Sequence, residues 1–130
     1  IGCVDSIRLT VPATSAAVRI TRAGAAGLAT RAGFTYREVE QLRLAVGEAA
    51  ALLAPDPEGE GTLDVTYDVD DDGLRVELAL TGPPQGELPG QVPDVAAAVL
   101  DASVDEWRVT DGGRCLVLVK RLTDTEDDDD

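Results

Sequence analysis

The sequence predicts an α+β domain: a two-layer sandwich in which a mixed, mostly antiparallel sheet carries helices on one face. Three observations carry this prediction. Asp70-Asp71-Asp72-Gly73 and Asp111-Gly112-Gly113 each separate two strand-like segments, and Asp-Gly turns of this kind mark antiparallel hairpins. Two helical segments follow one another directly near the start of the chain, and a third stands between the hairpins. The resulting order is strand, helix, helix, strand, strand, helix, strand, strand, with no internal repeat.

Each element has its own local reason. Ile7-Arg8-Leu9-Thr10-Val11 alternates apolar and polar residues, the period of a half-buried strand, and Pro12 ends it. Thr14 or Ser15 is placed to cap a helix rich in Ala and Arg that runs to about Gly33; Gly24 and Gly27 within it allow close backbone approach. Thr35 opens the second helix three residues before Glu38, the spacing of a capping box. Val39, Leu42, Val46, Ala49 and Leu53 then recur at intervals of three and four, which puts them on one apolar stripe. Gly47 costs this helix about 1 kcal/mol relative to Ala, so close packing is expected there. Pro55 and Pro57 stop it. Thr62 to Val69 and Leu74 to Thr81 form the first hairpin. Gly82 to Pro93, with four prolines and three glycines, reads as a loop. A short Ala-rich helix spans about Pro93 to Ala102, with Pro93 suited to a first turn and Asp94 to a cap. The last strands lie near Trp107 to Thr110 and Arg114 to Arg121, with Trp107 read as core.

At 130 residues the chain fits one domain, residues 1–123, followed by an acidic tail, 124–130, with six acids in seven positions. The tail repels itself and is expected to be solvated and disordered rather than a Ca²⁺ cage. There is no histidine, which excludes His-based acid/base chemistry, His-activated nucleophiles and His-containing metal sites. No metal site of any kind is expected. A net charge of −14 has the wrong sign for a nucleic-acid or anionic-membrane binder. Apolar runs are too short for a membrane span, and no signal-peptide pattern opens the chain. Cys3 and Cys115 favour reduced thiols in a cytoplasmic protein over a disulfide joining the two ends. Basic residues are uneven: Arg8, Arg19, Arg22, Arg31, Arg37 and Arg43 are six of the eleven.

The element order and three local patterns resemble the histidine-kinase-like ATPase (GHKL, Bergerat) fold, and within it the small anti-sigma factors that are serine-protein kinases. Leu42-Arg43-Leu44-Ala45-Val46-Gly47-Glu48-Ala49 is similar to the family's LxLAVxEA segment. Asp105-Glu106-Trp107-Arg108-Val109, Asp111-Gly112-Gly113 and Val117 to Leu122 are similar to its DExxV, DGG and closing strand. The likeness covers residues 7 to 122.

The resemblance implies a nucleotide site, and the departures fall on it. In the family, a Glu is followed four residues later by a Mg²⁺-binding Asn on the same helix face. Glu48 keeps the first position, where the family uses it as base, but the second is Leu52, which offers no oxygen to a hard cation. The family's DxGxG corresponds to Leu80-Thr81-Gly82-Pro83-Pro84, so the adenine-binding Asp is Leu80 and only Gly82 remains. Its GxG corresponds to Asp94-Val95-Ala96, where a carboxylate at a helix start repels phosphate. Leu44 and Leu52 flank Glu48 one turn either side, so the face toward the nucleotide is expected to be apolar and collapsed or covered by the Pro-rich loop.

The resemblance therefore implies a degenerate anti-sigma factor without cofactor. It would bind an RNA polymerase sigma factor, and a STAS-type anti-anti-sigma protein would release it. Arg19 and Arg22, one turn apart on the first helix, are the candidate partner contacts, and a homodimer through the sheet edge or first helix is expected. The rival implied by the same resemblance is an active kinase, with ATP and Mg²⁺ as cofactors, Glu48 as base and the anti-anti-sigma factor as substrate. A purely structural or dimerisation domain is the third class.

Overall fold

The computed structural model describes residues 5–82 and 92–122. Cys3, the acidic tail and most of the Pro-rich loop lie outside the described residues. Strand β1 (Asp5–Pro12) is followed by α1 (Ala17–Ala32), α2 (Tyr36–Leu53), the hairpin β2 (Thr62–Asp70) and β3 (Gly73–Thr81), then α3 (Asp94–Ser103), β4 (Glu106–Thr110) and β5 (Cys115–Arg121). The strands lie in the order β1-β2-β3-β5-β4. All four pairings are antiparallel, so the parallel neighbour expected of a mixed sheet is not found among the described strands. The α1–α2 pair returns the chain beside β1 in the reverse direction, and the hairpins do the rest.

Strand alternation separates the two faces of the sheet. Leu63, Val65 and Tyr67 of β2, Leu74, Val76, Leu78 and Leu80 of β3, and Leu116 and Leu118 of β5 are buried beneath the helices. The opposite face carries Asp64, Thr66 and Asp68 beside Arg75 and Glu77. Here Thr10 donates to Asp64 at 2.8 Å, Ser6 donates to Asp68 at 2.7 Å, and Arg75 bridges Asp68 and Glu77. Helix α1 lies over β1 to β3, α2 over β3 and β5, and α3 beside α2 and β4.

Most helix ends follow local chemistry. Thr35 and Glu38 form the expected capping box, with Thr35 N donating to Glu38 at 2.8 Å and Glu38 N to Thr35 Oγ1 at 3.2 Å. Gly33 closes α1 at φ 102°, and Phe34 N reaches back to Ala29 O at 3.1 Å, a Schellman ending. The start of α1 differs from the expectation. Ala16 is its N-cap and no side chain caps it. Thr14 and Ser15 act through their carbonyls, which accept from Ala17 N at 3.0 Å and Val18 N at 3.3 Å, so a backbone turn replaces the side-chain cap. Similarly, Pro93 caps α3 and Asp94 is its first helical residue, making no side-chain cap.

Two turns fix the hairpins. Asp70 Oδ1 accepts from Asp72 N at 2.8 Å and Gly73 N at 3.1 Å, an Asx turn. Asp111-Gly112-Gly113 is a short 3-10 turn with φ of 55°, 63° and 93°, values that explain the two glycines.

Candidate functional site

Helix α2, which carries Glu48 and Leu52, packs against β3, which carries Leu80, and against α3, which begins at Asp94, so the sequence-predicted positions are distributed over three elements that meet at one corner of the molecule. The capping box sets where α2 begins. The stripe Val39, Leu42, Val46, Ala49 and Leu53, joined by Ala45 and Ala50, is buried and sets its rotation. Glu48 is consequently turned to the rim of the core and is half-buried. Its carboxylate has no hydrogen-bond or ion-pair partner among the described residues. Leu52, one turn on, packs its side chain against the core.

Leu80 is 4% exposed, and its amide donates to Arg114 O at 2.8 Å. The position that the resemblance matches to the family's adenine-binding carboxylate thus holds a core side chain. Gly82 has a structural reason to be glycine. Its φ is 104°, and a Cβ there would come 2.8 Å from Gly61 Cα, where the chain enters β2. Arg114 holds this corner by donating to Gly82 O at 2.8 Å. At α3, Asp94 is exposed, Val95 is exposed and Ala96 is buried in the core. A glycine-lined approach to phosphate is absent at these three residues, and Asp94 places negative charge at the helix N-terminus, where phosphate would sit. The donor set of the corner therefore does not fit Mg²⁺-nucleotide: Glu48 has Leu52 in place of an oxygen ligand one turn on, and the other carboxylate, Asp94, stands at a helix start where it repels phosphate.

Leu44 departs from the expected collapsed face, since it is 53% exposed. It lies on the outward side of α2, away from the stripe that packs on the sheet.

The arginines occupy the other side of α2. Arg19 is fully on the surface of α1, but Arg22 is half-buried because its stem lies across α2 at Gly47. A Cβ on Gly47 would stand 2.8 Å from Arg22 Cδ, which meets the expectation of close packing at this glycine. The two arginines thus share a helix but not an environment. The two glycines of α1 also divide. Gly24 fits against Tyr67, whose hydroxyl would be 2.8 Å from an added Cβ, whereas Gly27 has open space around it.

Three buried polar groups were not legible in the sequence. Tyr67 donates to Thr21 O at 2.8 Å and burial pushes its hydroxyl up to about 12. Lys120 is buried, and its ammonium donates to Ser103 O at 2.8 Å, satisfying a carbonyl at the end of α3. Cys115 is a free, buried thiol whose pKa is raised, first of all by burial. Trp107 packs on the core and donates to Asp101 at 2.7 Å. No group of three or more His, Cys, Asp or Glu is placed to hold a metal among the described residues, and no helix there is long and apolar enough to cross a membrane.

Comparison with known proteins agrees with this fold. Residues 11–127 match the histidine kinase-like ATPase domain family. The chain is 32% identical over 124 residues to the serine-protein kinase RsbW of Bacillus velezensis, covering 93% of this chain and 76% of the relative. It is 30% identical over 123 residues to the protein of that name in Listeria innocua, covering 92% and 76%. For the Bacillus subtilis protein of that name, the values are 32% over 123 residues, 92% and 75%.

Proposed function

The chain belongs to the histidine kinase-like ATPase domain family, and from that premise we propose that it is a partner-switching anti-sigma factor that has lost kinase activity. It sequesters an RNA polymerase sigma factor in the cytoplasm by protein–protein contact, and a STAS-type anti-anti-sigma protein competes for it. It needs neither ATP nor Mg²⁺. The observation that carries this reading is the burial of Leu80 and Ala96 at positions where the family binds adenine and phosphate. Each lost charge-assisted contact costs about 1.5–3 kcal/mol. Three such losses remove most of the roughly 8 kcal/mol that micromolar nucleotide affinity requires.

Calorimetric titration with Mg-ATP tests the loss of nucleotide. The expected result is no binding below millimolar concentration. Submillimolar affinity, or phosphate transfer to a serine of the anti-anti-sigma protein, establishes the second reading, an active kinase with Glu48 as base. The retained carboxylate of Glu48, half-buried and without a partner among the described residues, is the feature that favours that reading.

The partner surface proposed is α1, through Arg19 and Arg22. Replacing both by Glu is expected to weaken a sigma-factor complex by at least about tenfold, with little change in thermal stability. Association should also slow as salt rises. Equal capture by the double variant removes the basic face from the reading. The protein is further proposed to form a homodimer through α1 or the β1 edge. Light scattering that gives 13.6 kDa at every concentration overturns this.

A further inference from the structure

Gly47 lies in the middle of an 18-residue helix, where alanine would be the better helix former. Its neighbour is a side chain rather than backbone. An added Cβ would lie 2.8 Å from Arg22 Cδ, 3.2 Å from Cγ and 3.3 Å from Nε. The stem of Arg22 therefore crosses from α1 onto α2 through the gap that this glycine leaves. Its Nε is buried and has no hydrogen-bond partner among the described residues. Arg43 occupies the same face of α2 one turn earlier. Its Nε is likewise buried and without a hydrogen-bond partner among the described residues, while its Nη1 sits 3.4 Å from Glu40.

An orphaned buried N–H is unfavourable, so these two stems are not placed there to satisfy hydrogen bonds within the chain. What the packing does achieve is to remove rotamers. A guanidinium on a held stem meets a carboxylate with less entropy to lose than one on a free stem. The surroundings fit a protein ligand. Exposed Arg19 stands one turn from Arg22 on α1, exposed Ile20 follows Arg19 in the chain, and exposed Leu44 lies on the outward side of α2. Helices α1 and α2 carry five arginines against three glutamates, on a chain whose net charge is −14.

We propose that Gly47 is a positioning residue: it seats Arg22 across the α1–α2 seam, and the preset guanidinium, with Arg19, receives an acidic segment of a partner protein that lays an apolar residue on Ile20 or Leu44. This rests on the reading that the chain works by binding a protein partner. Gly47 contributes no contact of its own. It sets the geometry of the residue that does.

The test compares Gly47→Ala, Arg22→Ala and the double variant with the wild type. The binding probes are the sigma factors and STAS-domain proteins of the same genome, purified singly. Arg22 lies at the flexible side of the clash, so G47A is expected to fold with an unchanged or higher Tm while Arg22 swings away. In ¹H–¹⁵N spectra the Arg22 Nε–H should exchange slowly in the wild type and rapidly in G47A. Affinity for the bound probe should fall about tenfold in G47A, about as far as in R22A, and no further in the double variant. Full affinity in G47A beside a loss in R22A overturns the positioning role. Full affinity in both overturns the seam as the interface. An unchanged Nε–H exchange in G47A overturns the seat itself, whatever the affinities. Failure of every probe to bind the wild type overturns the protein-binding reading and, with it, the role of the seat. The exchange measurement still separates that outcome from a misplaced Arg22.

Discussion

The α1–α2 seam and the corner where α2, β3 and α3 meet are served by the same helix, and they treat polarity in opposite ways. At the seam, a glycine makes room for a charged side chain, and two arginines hold buried Nε atoms that have no partner among the described residues. At the corner, at positions the family resemblance assigns to nucleotide, Leu80 and Ala96 are core residues and Leu52 packs against the core. Glu48 stands between the two regions. The contrast teaches that this chain packs charged side chains at the seam between its first two helices, while Leu80 and Ala96, at positions the family resemblance assigns to nucleotide, belong to the hydrophobic core.

The largest expected effect breaks or sustains that contrast directly. Leu80→Asp returns the family's carboxylate to a site that is 4% exposed. It should destabilise the fold by more than about 3 kcal/mol in urea unfolding, because Leu burial is lost and a carboxylate is desolvated without a partner. A cost below about 1 kcal/mol would mean that the corner is open to water, and the contrast would fail.

A smaller effect sharpens the picture of α1. Gly24→Ala pushes a methyl into the Tyr67 hydroxyl and should cost about 1–3 kcal/mol. Gly27→Ala, three residues on and unobstructed, should stabilise by up to about 1 kcal/mol. The two unfolding free energies must therefore change in opposite directions. The same sign for both would show that α1 does not sit on Tyr67 as described.

The smallest effect is a dependence on pH. Burial raises the Tyr67 hydroxyl from 10.0 to about 12, so the folded state holds this proton more tightly than the unfolded state. Below pH 10 both states are protonated and the full contribution is present. Between about pH 10 and 12 the unfolded chain ionises first, and stability should fall by up to ~1.4 kcal/mol per pH unit. Tyr67→Phe should lose about 1 kcal/mol at neutral pH with its hydrogen bond to Thr21 and lack this component of the alkaline decline. Parallel alkaline curves for the two proteins would contradict the burial of the hydroxyl.

Sequence by itself determined what depends on near neighbours in the chain. The strand over Ile7 to Val11, the stripe on α2, the Thr35–Glu38 capping box and the Asp70–Gly73 turn are all read over a few residues, and each is found where the sequence puts it, although Ile7, at the outer end of its strand's alternation, is exposed. The departures at Leu52, Leu80 and Asp94 are legible in the same way, since they are residue identities within short segments. Tertiary structure decided the rest. That Arg22 lies on Gly47, that Gly82 is required by Gly61, and that Leu44 faces outward are relations between distant segments, set by how α1, α2 and the sheet pack. The late start of α1 belongs here too: Ser15 N is tied to Asp56 O at 3.1 Å, and the turn before the helix is held from outside it. Periodicity fixes which face of an element is apolar; only packing fixes which atoms meet across it, because those distances depend on every side chain between them.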